Sequence, residues 1–181
     1  METKSKKGIK SFLFDWILPI GIAVVIALLV RHFLFFQIEV PTSSMYPTIE
    51  EHEKFMTRRL YSLDNLERGD IIVFESKELN DTLVKRLIGL PKDHIVIKDG
   101  VVSVNGEVLD EDYVKYPSND SINKVTDGTF DVPEGKYFFL GDNRSDSADA
   151  RYWKNHYIDG SDIKSKVLFR TFPFDKFGKV E

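Results

Sequence analysis

Two residues of this chain have the chemistry of a nucleophile and its base. Ser44 lies in the stretch Pro41-Thr-Ser-Ser-Met-Tyr-Pro-Thr48, just beyond a segment that is apolar over the length of a membrane span. Lys85 lies inside the apolar run Leu83-Val-Lys-Arg-Leu-Ile88. A lysine that is removed from water gives up its proton more easily, and the neutral amine can take the proton of a serine hydroxyl. The pair therefore predicts covalent catalysis by a serine with a lysine as general base.

The surroundings of Lys85 decide whether its amine is available for catalysis. In an extended strand alternate side chains share a face, so Lys85 would share one with Leu83 and Leu87. A lysine on an apolar face either extends its amine to water or is desolvated, and the first outcome is the commoner for a lysine taken alone. The neighbouring motifs are what favour the catalytic interpretation here.

Composition excludes several classes of protein. The 181 residues carry a net charge of -4, which argues against a general nucleic-acid-binding protein. The chain contains no cysteine, so disulfides, thiolate metal sites, a cysteine nucleophile and a lipid-anchor cysteine are all excluded. Its four histidines do not have the spacing of metal ligands: His32, His52, His94 and His156. We therefore predict no metal site and no cofactor, and no histidine is suitably placed for a histidine-based serine protease.

The N-terminal segment is predicted to be an uncleaved membrane anchor. Residues 1–10 carry four lysines against one glutamate, and residues 11–36 contain the apolar run Trp16–Val30 with aromatic flanks, together long enough to cross a bilayer. A cleavable signal peptide is the alternative, but Arg31–Val40 is bulky and charged and offers no small-x-small cleavage site. The lysines predict that the N-terminus is cytoplasmic and that residues 37–181 lie outside the cytoplasm.

The remainder of the chain is predicted to be a β domain. Residues 94–109 contain three short apolar stretches separated by Asp-Gly and Asn-Gly, which is typical of a meander with tight turns. The polar residues 110–129 are predicted to be a loop. Other expected strands lie at residues 37–40, 53–59, 70–74, 136–140 and 166–172. We therefore expect a mostly β fold in which one N-terminal transmembrane helix precedes an extracytoplasmic, β-rich catalytic domain.

Four motifs, in sequence order behind the anchor, resemble those of bacterial type I signal peptidases. These are membrane-bound serine-lysine endopeptidases that remove signal peptides from exported proteins. The motifs are Ser44-Met-Tyr-Pro-Thr48, Arg68-Gly-Asp-Ile-Ile-Val-Phe74, Lys85-Arg-Leu-Ile-Gly-Leu-Pro91 and Gly141-Asp-Asn-Arg-Ser-Asp-Ser-Ala-Asp-Ala-Arg151. Each motif alone is weak, whereas four in the right order are a specific signal.

The resemblance implies a role for individual residues. Ser44 would be the acyl-forming nucleophile and Lys85 the general base, with the Ser147 hydroxyl orienting the Lys85 amine. Thr42 would supply an oxyanion-hole hydroxyl beside the Ser44 backbone N–H. Two structural ion pairs are implied, Arg86 with Asp142 and Asp149 with Arg151. The residues implied to line shallow substrate pockets are Ile38, Val40, Met45, Ile49, Leu83 and Val84.

The same resemblance implies the substrates. Members of the family cleave after small residues, typically in Ala-x-Ala, and bulky pocket walls would exclude larger side chains. An extended substrate could add as a strand near residues 37–41 or 81–85. The expected partners are secretory preproteins and membrane lipid, close to the export translocon.

Departures from the family pattern affect loops rather than the serine-lysine pair. Ala150 replaces a usual serine, Ser43 a usual glycine or aspartate, and Lys92 a common glycine. The short stretch at about residues 92–134 implies a reduced accessory region. Two alternatives stay open from the residues: a catalytically silent, membrane-anchored domain that binds exported chains, and a related peptidase of an organelle membrane.

Overall fold

One apolar helix makes up most of the described part of the N-terminal unit. The computed structural model describes residues 13–114 and 126–180, and the chain divides into two compact units between residues 36 and 37. A π-helical turn, Leu13–Ile17, leads into helix α1, Leu18–Leu34. The window Phe14–Arg31 is long and apolar enough to cross a membrane, and none of it is buried within the structure. A helix that is apolar all round and uncovered by protein suits a bilayer, so the predicted membrane-spanning helix is confirmed as a candidate span.

The rest of the described chain is built from strands. In chain order they are β1 Phe35–Glu39, β2 Lys54–Arg59, β3 Ile71–Ser76, β4 Asp81–Gly89, β5 His94–Lys98, β6 Val101–Val104, β7 Glu107–Val108, β8 Gly128–Asp131, β9 Lys136–Leu140, β10 Ile158–Asp159, β11 Ile163–Phe172 and β12 Gly178–Lys179. The predicted mostly β fold is therefore confirmed.

Eight of these strands form the large sheet, in the order β1-β2-β11-β3-β4-β9-β10, with β12 paired to β11. Strand β3 is apolar on both faces, because both faces of the sheet centre are covered. Ile72 and Phe74 pack in the main core, where the Phe74 ring lies 4.4 Å from that of Phe139. Ile71 and Val73 pack in a second apolar cluster on the opposite face. This double burial holds β3 and its neighbour β4 in fixed register.

The small sheet has the order β7-β6-β5-β8 and lies within residues 94–131. Its two hairpins turn where the sequence predicts, at Asp99-Gly100 and Asn105-Gly106, and all four residues have positive φ, as type I′ turns require. The predicted loop at 110–129 is wrong at its end, since β8 begins at Gly128 and pairs with β5. Its middle part, residues 115–125, lies outside the described residues.

Candidate active site

Strand β4 carries Lys85 into the main core. Ile72 of β3 lies opposite Lys85 and Phe74 lies opposite Leu83, so Lys85 and Leu83 share the core face, as strand alternation predicts. The lysine is 3% exposed. This burial lowers the pKa of Lys85 to about 8, although the nearby carboxylates of Asp149 and Asp142 act in the opposite direction. The amine is thus far easier to deprotonate than that of a solvated lysine.

Ser44 lies in a 3₁₀ turn, Ser43–Met45, in the connection from β1 to β2. Its side chain is buried, and its Oγ lies 2.5 Å from the Nζ of Lys85. A proton can pass directly between two atoms at this separation, without a bridging water. The fold therefore joins a hydroxyl and an easily deprotonated amine that are far apart in the sequence.

The loop that follows β9 holds the serine turn from the other side. Asn143 donates its backbone N–H to the Ser44 carbonyl and its side-chain amide to the Ser43 carbonyl, each at 3.1 Å. Gly141 lies so close that a Cβ at this position would come 2.4 Å from the Ser44 oxygen. Asn143 lies within the Gly141 motif, but the resemblance implied no role for it.

Two buried ion pairs fix this loop. Arg86 donates to both carboxylate oxygens of Asp142, at 2.9 and 2.7 Å, and Arg151 donates to both oxygens of Asp149, at 2.7 and 2.8 Å. Asp149 also accepts the backbone N–H of Gly141 at 3.0 Å. Breaking one such buried pair leaves an unpaired charge and typically costs about 3–5 kcal/mol. The pairs therefore hold the loop against the serine turn.

The two remaining hydroxyls differ in their contacts. Thr42 Oγ1 lies 3.3 Å from Ser44 Oγ, beside the nucleophile. Ser147 is buried, but its hydroxyl has no hydrogen-bond partner within residues 13–114 and 126–180. The hydrogen bond expected between Ser147 and Lys85 is thus not formed in this structure, where the amine contacts Ser44 instead.

An open cleft of about 250 Å³ leads away from Lys85. Its walls are residues 38–42, at the end of β1, and residues 81–85, in β4. Four of the residues expected in substrate pockets line it: Ile38, Val40, Leu83 and Val84. The other two, Met45 and Ile49, are fully buried and pack in the same apolar cluster as Val40. The cleft is therefore mostly apolar along its walls, and Lys85 is one of its lining residues.

Comparison with known proteins identifies the family. Residues 13–172 match the model of the family "Signal peptidase, peptidase S26". The chain belongs to this family. The signal peptidase I of Bacillus licheniformis is 38% identical over 187 aligned positions, which cover 100% of both chains. The signal peptidase IB of Staphylococcus aureus is 35% identical, over 93% of this chain and 94% of that protein. A crystal structure of a signal peptidase I from Enterococcus faecalis V583 is 33% identical, covers 58% of this chain and 98% of that one, and gives a TM-score of 0.48.

Membership in the signal peptidase family confirms the resemblance seen in the four motifs. The family cleaves signal peptides from preproteins, and this chain is a member of it. The family is membrane-associated, and the apolar N-terminal helix of this chain is consistent with such a location.

Sequence reasoning missed a contact between the accessory region and the site. Arg144, in the loop after β9, donates to both carboxylate oxygens of Glu111 at 2.9 and 2.5 Å. The ring of Tyr113 stacks on Arg86, 3.8 Å from its guanidinium carbon, and burial together with Glu111 raises the pKa of Tyr113. Glu111 and Tyr113 lie in the predicted loop at 110–129, whose polar composition gives no indication that these residues are partly buried.

Proposed function

We propose that this signal peptidase is a serine endopeptidase in which Ser44 is the nucleophile and Lys85 the general base. It cuts exported preproteins after small residues, in sites of the Ala-x-Ala type, through an acyl-enzyme. The observation that carries the proposal is the 2.5 Å contact between the Ser44 hydroxyl oxygen and a buried amine whose pKa is lowered to about 8.

The acylation step follows from this geometry. Neutral Lys85 takes the proton of Ser44 while Ser44 Oγ attacks the scissile carbonyl carbon. The oxyanion that forms accepts hydrogen bonds from the Ser44 backbone N–H and the Thr42 hydroxyl, each worth roughly 3 kcal/mol. The lysine ammonium then gives its proton to the leaving amine of the mature protein as the C–N bond breaks.

Deacylation uses the same two residues. Neutral Lys85 takes a proton from a water molecule as the water oxygen attacks the ester carbonyl carbon. The ester bond then breaks, the proton returns to Ser44 Oγ, and the signal peptide leaves with a free carboxylate. Because Lys85 alternates between base and acid, a pKa near the working pH serves both half-reactions.

Substrate binding is supported by a free backbone edge in the cleft. Strand β9 pairs with β4 only from Arg86 to Gly89, whereas β3 pairs with β4 from Asp81 to Arg86. Residues 81–85 therefore keep one backbone edge unpaired within the described sheet, beside the cleft. A signal peptide in extended form can add to this edge as a strand, with its small side chains toward the apolar walls.

The test is the pH dependence of cleavage of a reporter peptide with one Ala-x-Ala site by the full-length protein in detergent. A protonated lysine cannot accept a proton, so kcat/KM should rise with pH along a limb whose apparent pKa lies near 8. Initial rates between pH 5 and 11 measure this limb, and mass spectrometry identifies the cleaved bond. A rise only near pH 10, about the pKa of a solvated lysine, would contradict the mechanism.

If the folded protein cleaves nothing at any pH, the catalytically silent binder becomes the better proposal. Cleavage after residues other than the second alanine would instead leave the mechanism standing and remove the proposed specificity.

We further propose that residues 1–10 lie in the cytoplasm, that residues 11–36 form the anchor and that residues 37–181 face lipid and the export translocon outside. Removing residues 1–36 should lower cleavage of a membrane-embedded preprotein far more than cleavage of a short soluble peptide. The anchor confines enzyme and preprotein to one thin layer and so raises their effective concentration. Rates for both substrates, in lipid vesicles and in detergent, measure the difference. An equal loss on both would show instead that the helix supports the active site itself.

A further inference from the structure

The loop from Ser44 to Glu53 carries both the nucleophile and part of the apolar cluster behind the cleft. After its 3₁₀ turn it has no strand or helix until β2 begins at Lys54. Its C-terminal end is joined to Val40, whose N–H donates to the Glu53 carbonyl at 3.1 Å and whose carbonyl accepts the His52 N–H at 2.7 Å. A loop without a strand ladder depends on other contacts for its shape.

A buried ion pair supplies such contacts. Arg170, in strand β11, donates its Nε to Glu53 Oε2 at 2.9 Å and its Nη2 to the Thr48 carbonyl at 2.7 Å. The same carboxylate oxygen of Glu53 accepts the backbone N–H of Glu50 at 3.1 Å. Glu53 is only 3% exposed, and the side chain of Arg170 is 15% exposed. One network thus ties the middle of the loop and its end to a central strand.

Thr48, which this network holds, lies next to the apolar cluster that forms one wall of the substrate cleft. Thr48 precedes Ile49, which is fully buried beside Met45 in the cluster that also contains Val40 of the cleft. An arginine has a planar fork that can satisfy a carboxylate and a carbonyl together, which a lysine cannot reproduce. The guanidinium of Arg170 therefore fixes where the backbone at Thr48 and Ile49 lies.

We propose that Arg170 and Glu53 are positioning residues that hold the wall of the cleavage-site pocket rigid and thereby set the preference for a small residue before the cleaved bond. This inference rests on the proposed function. A pocket distinguishes alanine from a larger side chain only when its wall cannot move outward, and one added methylene then changes the rate by about 10–200-fold. If the wall can move outward, the pocket accepts larger side chains and the preference for alanine decreases.

The experiment compares two reporter peptides, with alanine or valine before the cleaved bond, on the full-length protein in detergent. Arg170→Met removes both hydrogen bonds to the loop at similar side-chain length, and Arg170→Lys keeps the charge. Glu53→Gln keeps the shape of the Glu53 side chain and removes its charge. The matched control is Lys166→Met, since Lys166 lies on the same strand and pairs with Asp70 at 2.5 Å, away from the loop. For each variant, kcat and KM are measured on both peptides, together with the melting temperature. The ratio of kcat/KM for the alanine peptide to that for the valine peptide is then compared.

We expect the ratio of alanine to valine cleavage to fall by about tenfold in Arg170→Met, with a smaller fall in Arg170→Lys and Glu53→Gln, and no change in Lys166→Met. Partial unfolding lowers the cleavage rates of both peptides by the same factor. The ratio therefore depends on the shape of the pocket and not on the fraction of protein that is folded. An unchanged ratio in the variants that fold would overturn the proposal, even if their melting temperatures drop. Failure of the wild-type protein to cleave the alanine peptide would instead defeat the proposed function itself.

Discussion

Ser44→Ala and Lys85→Met are each expected to lower kcat/KM on an Ala-x-Ala peptide by about 10⁴-fold or more, and the double variant should be no worse than either single one. The hydroxyl is inert until the amine takes its proton, and every later proton transfer by Lys85 follows the attack by Ser44. Once either side chain is absent, removing the other causes no further loss of activity. The methionine fills the buried space of Lys85 without its charge, which limits any loss of stability. Steady-state kinetics on the four proteins measure the effect.

Ser43→Ala is the matched control, since Ser43 lies in the same turn and its carbonyl, not its side chain, is held by Asn143. It should keep most of the wild-type rate. Substantial activity in Lys85→Met would show that another base serves Ser44. Activity retained in Ser44→Ala would point to a different nucleophile, and both outcomes would leave family membership intact.

The parts of the fold that depend on local signals were predicted correctly. Asp99-Gly100 and Asn105-Gly106 fix their hairpins through backbone conformations that few residues adopt, so the sequence alone places these turns. The shared face of Leu83 and Lys85 follows from strand alternation. Strand β8 was missed because its place depends on pairing with β5, which neither its composition nor its neighbours indicate.

The contacts that complete the site lie beyond the reach of sequence patterns. Asn143 binds the Ser43 carbonyl across 100 positions, and Arg170 binds Glu53 across 117. Each is a polar residue in a turn or strand that would be equally suitable on a solvated surface. Only the sheet order, which sets β11 between β2 and β3, gives Arg170 its partner. The motifs therefore pointed to Ser44 and Lys85, which the structure brings into contact, but they gave no role to Asn143 or Arg170.

Gly141→Ala is expected to lower kcat/KM by about 10²-fold or more, although no reacting group is changed. A Cβ at this position would lie 2.4 Å from the carbonyl oxygen of Ser44 and 2.1 Å from Ser147 Oγ, both far inside van der Waals contact. The Ser44 oxygen cannot retreat freely, because the Asn143 N–H holds it at 3.1 Å. The turn must therefore shift, and the shift moves Ser44 Oγ away from Lys85.

Gly160→Ala provides the matched control for this steric argument. Neither glycine has a positive φ, so backbone strain does not separate them. The Cβ at residue 160 would first meet the terminal Cδ1 of Leu63, at 2.8 Å, and a flexible methyl can rotate away. We expect Gly160→Ala to keep most of the wild-type rate. The rate and the amplitude of the acyl-enzyme burst separate the two explanations. A misplaced Ser44 slows the burst, whereas a loss of folded protein only reduces its amplitude. A full-rate burst in Gly141→Ala would mean that the serine turn and the β9 loop can separate without moving the nucleophile from its base.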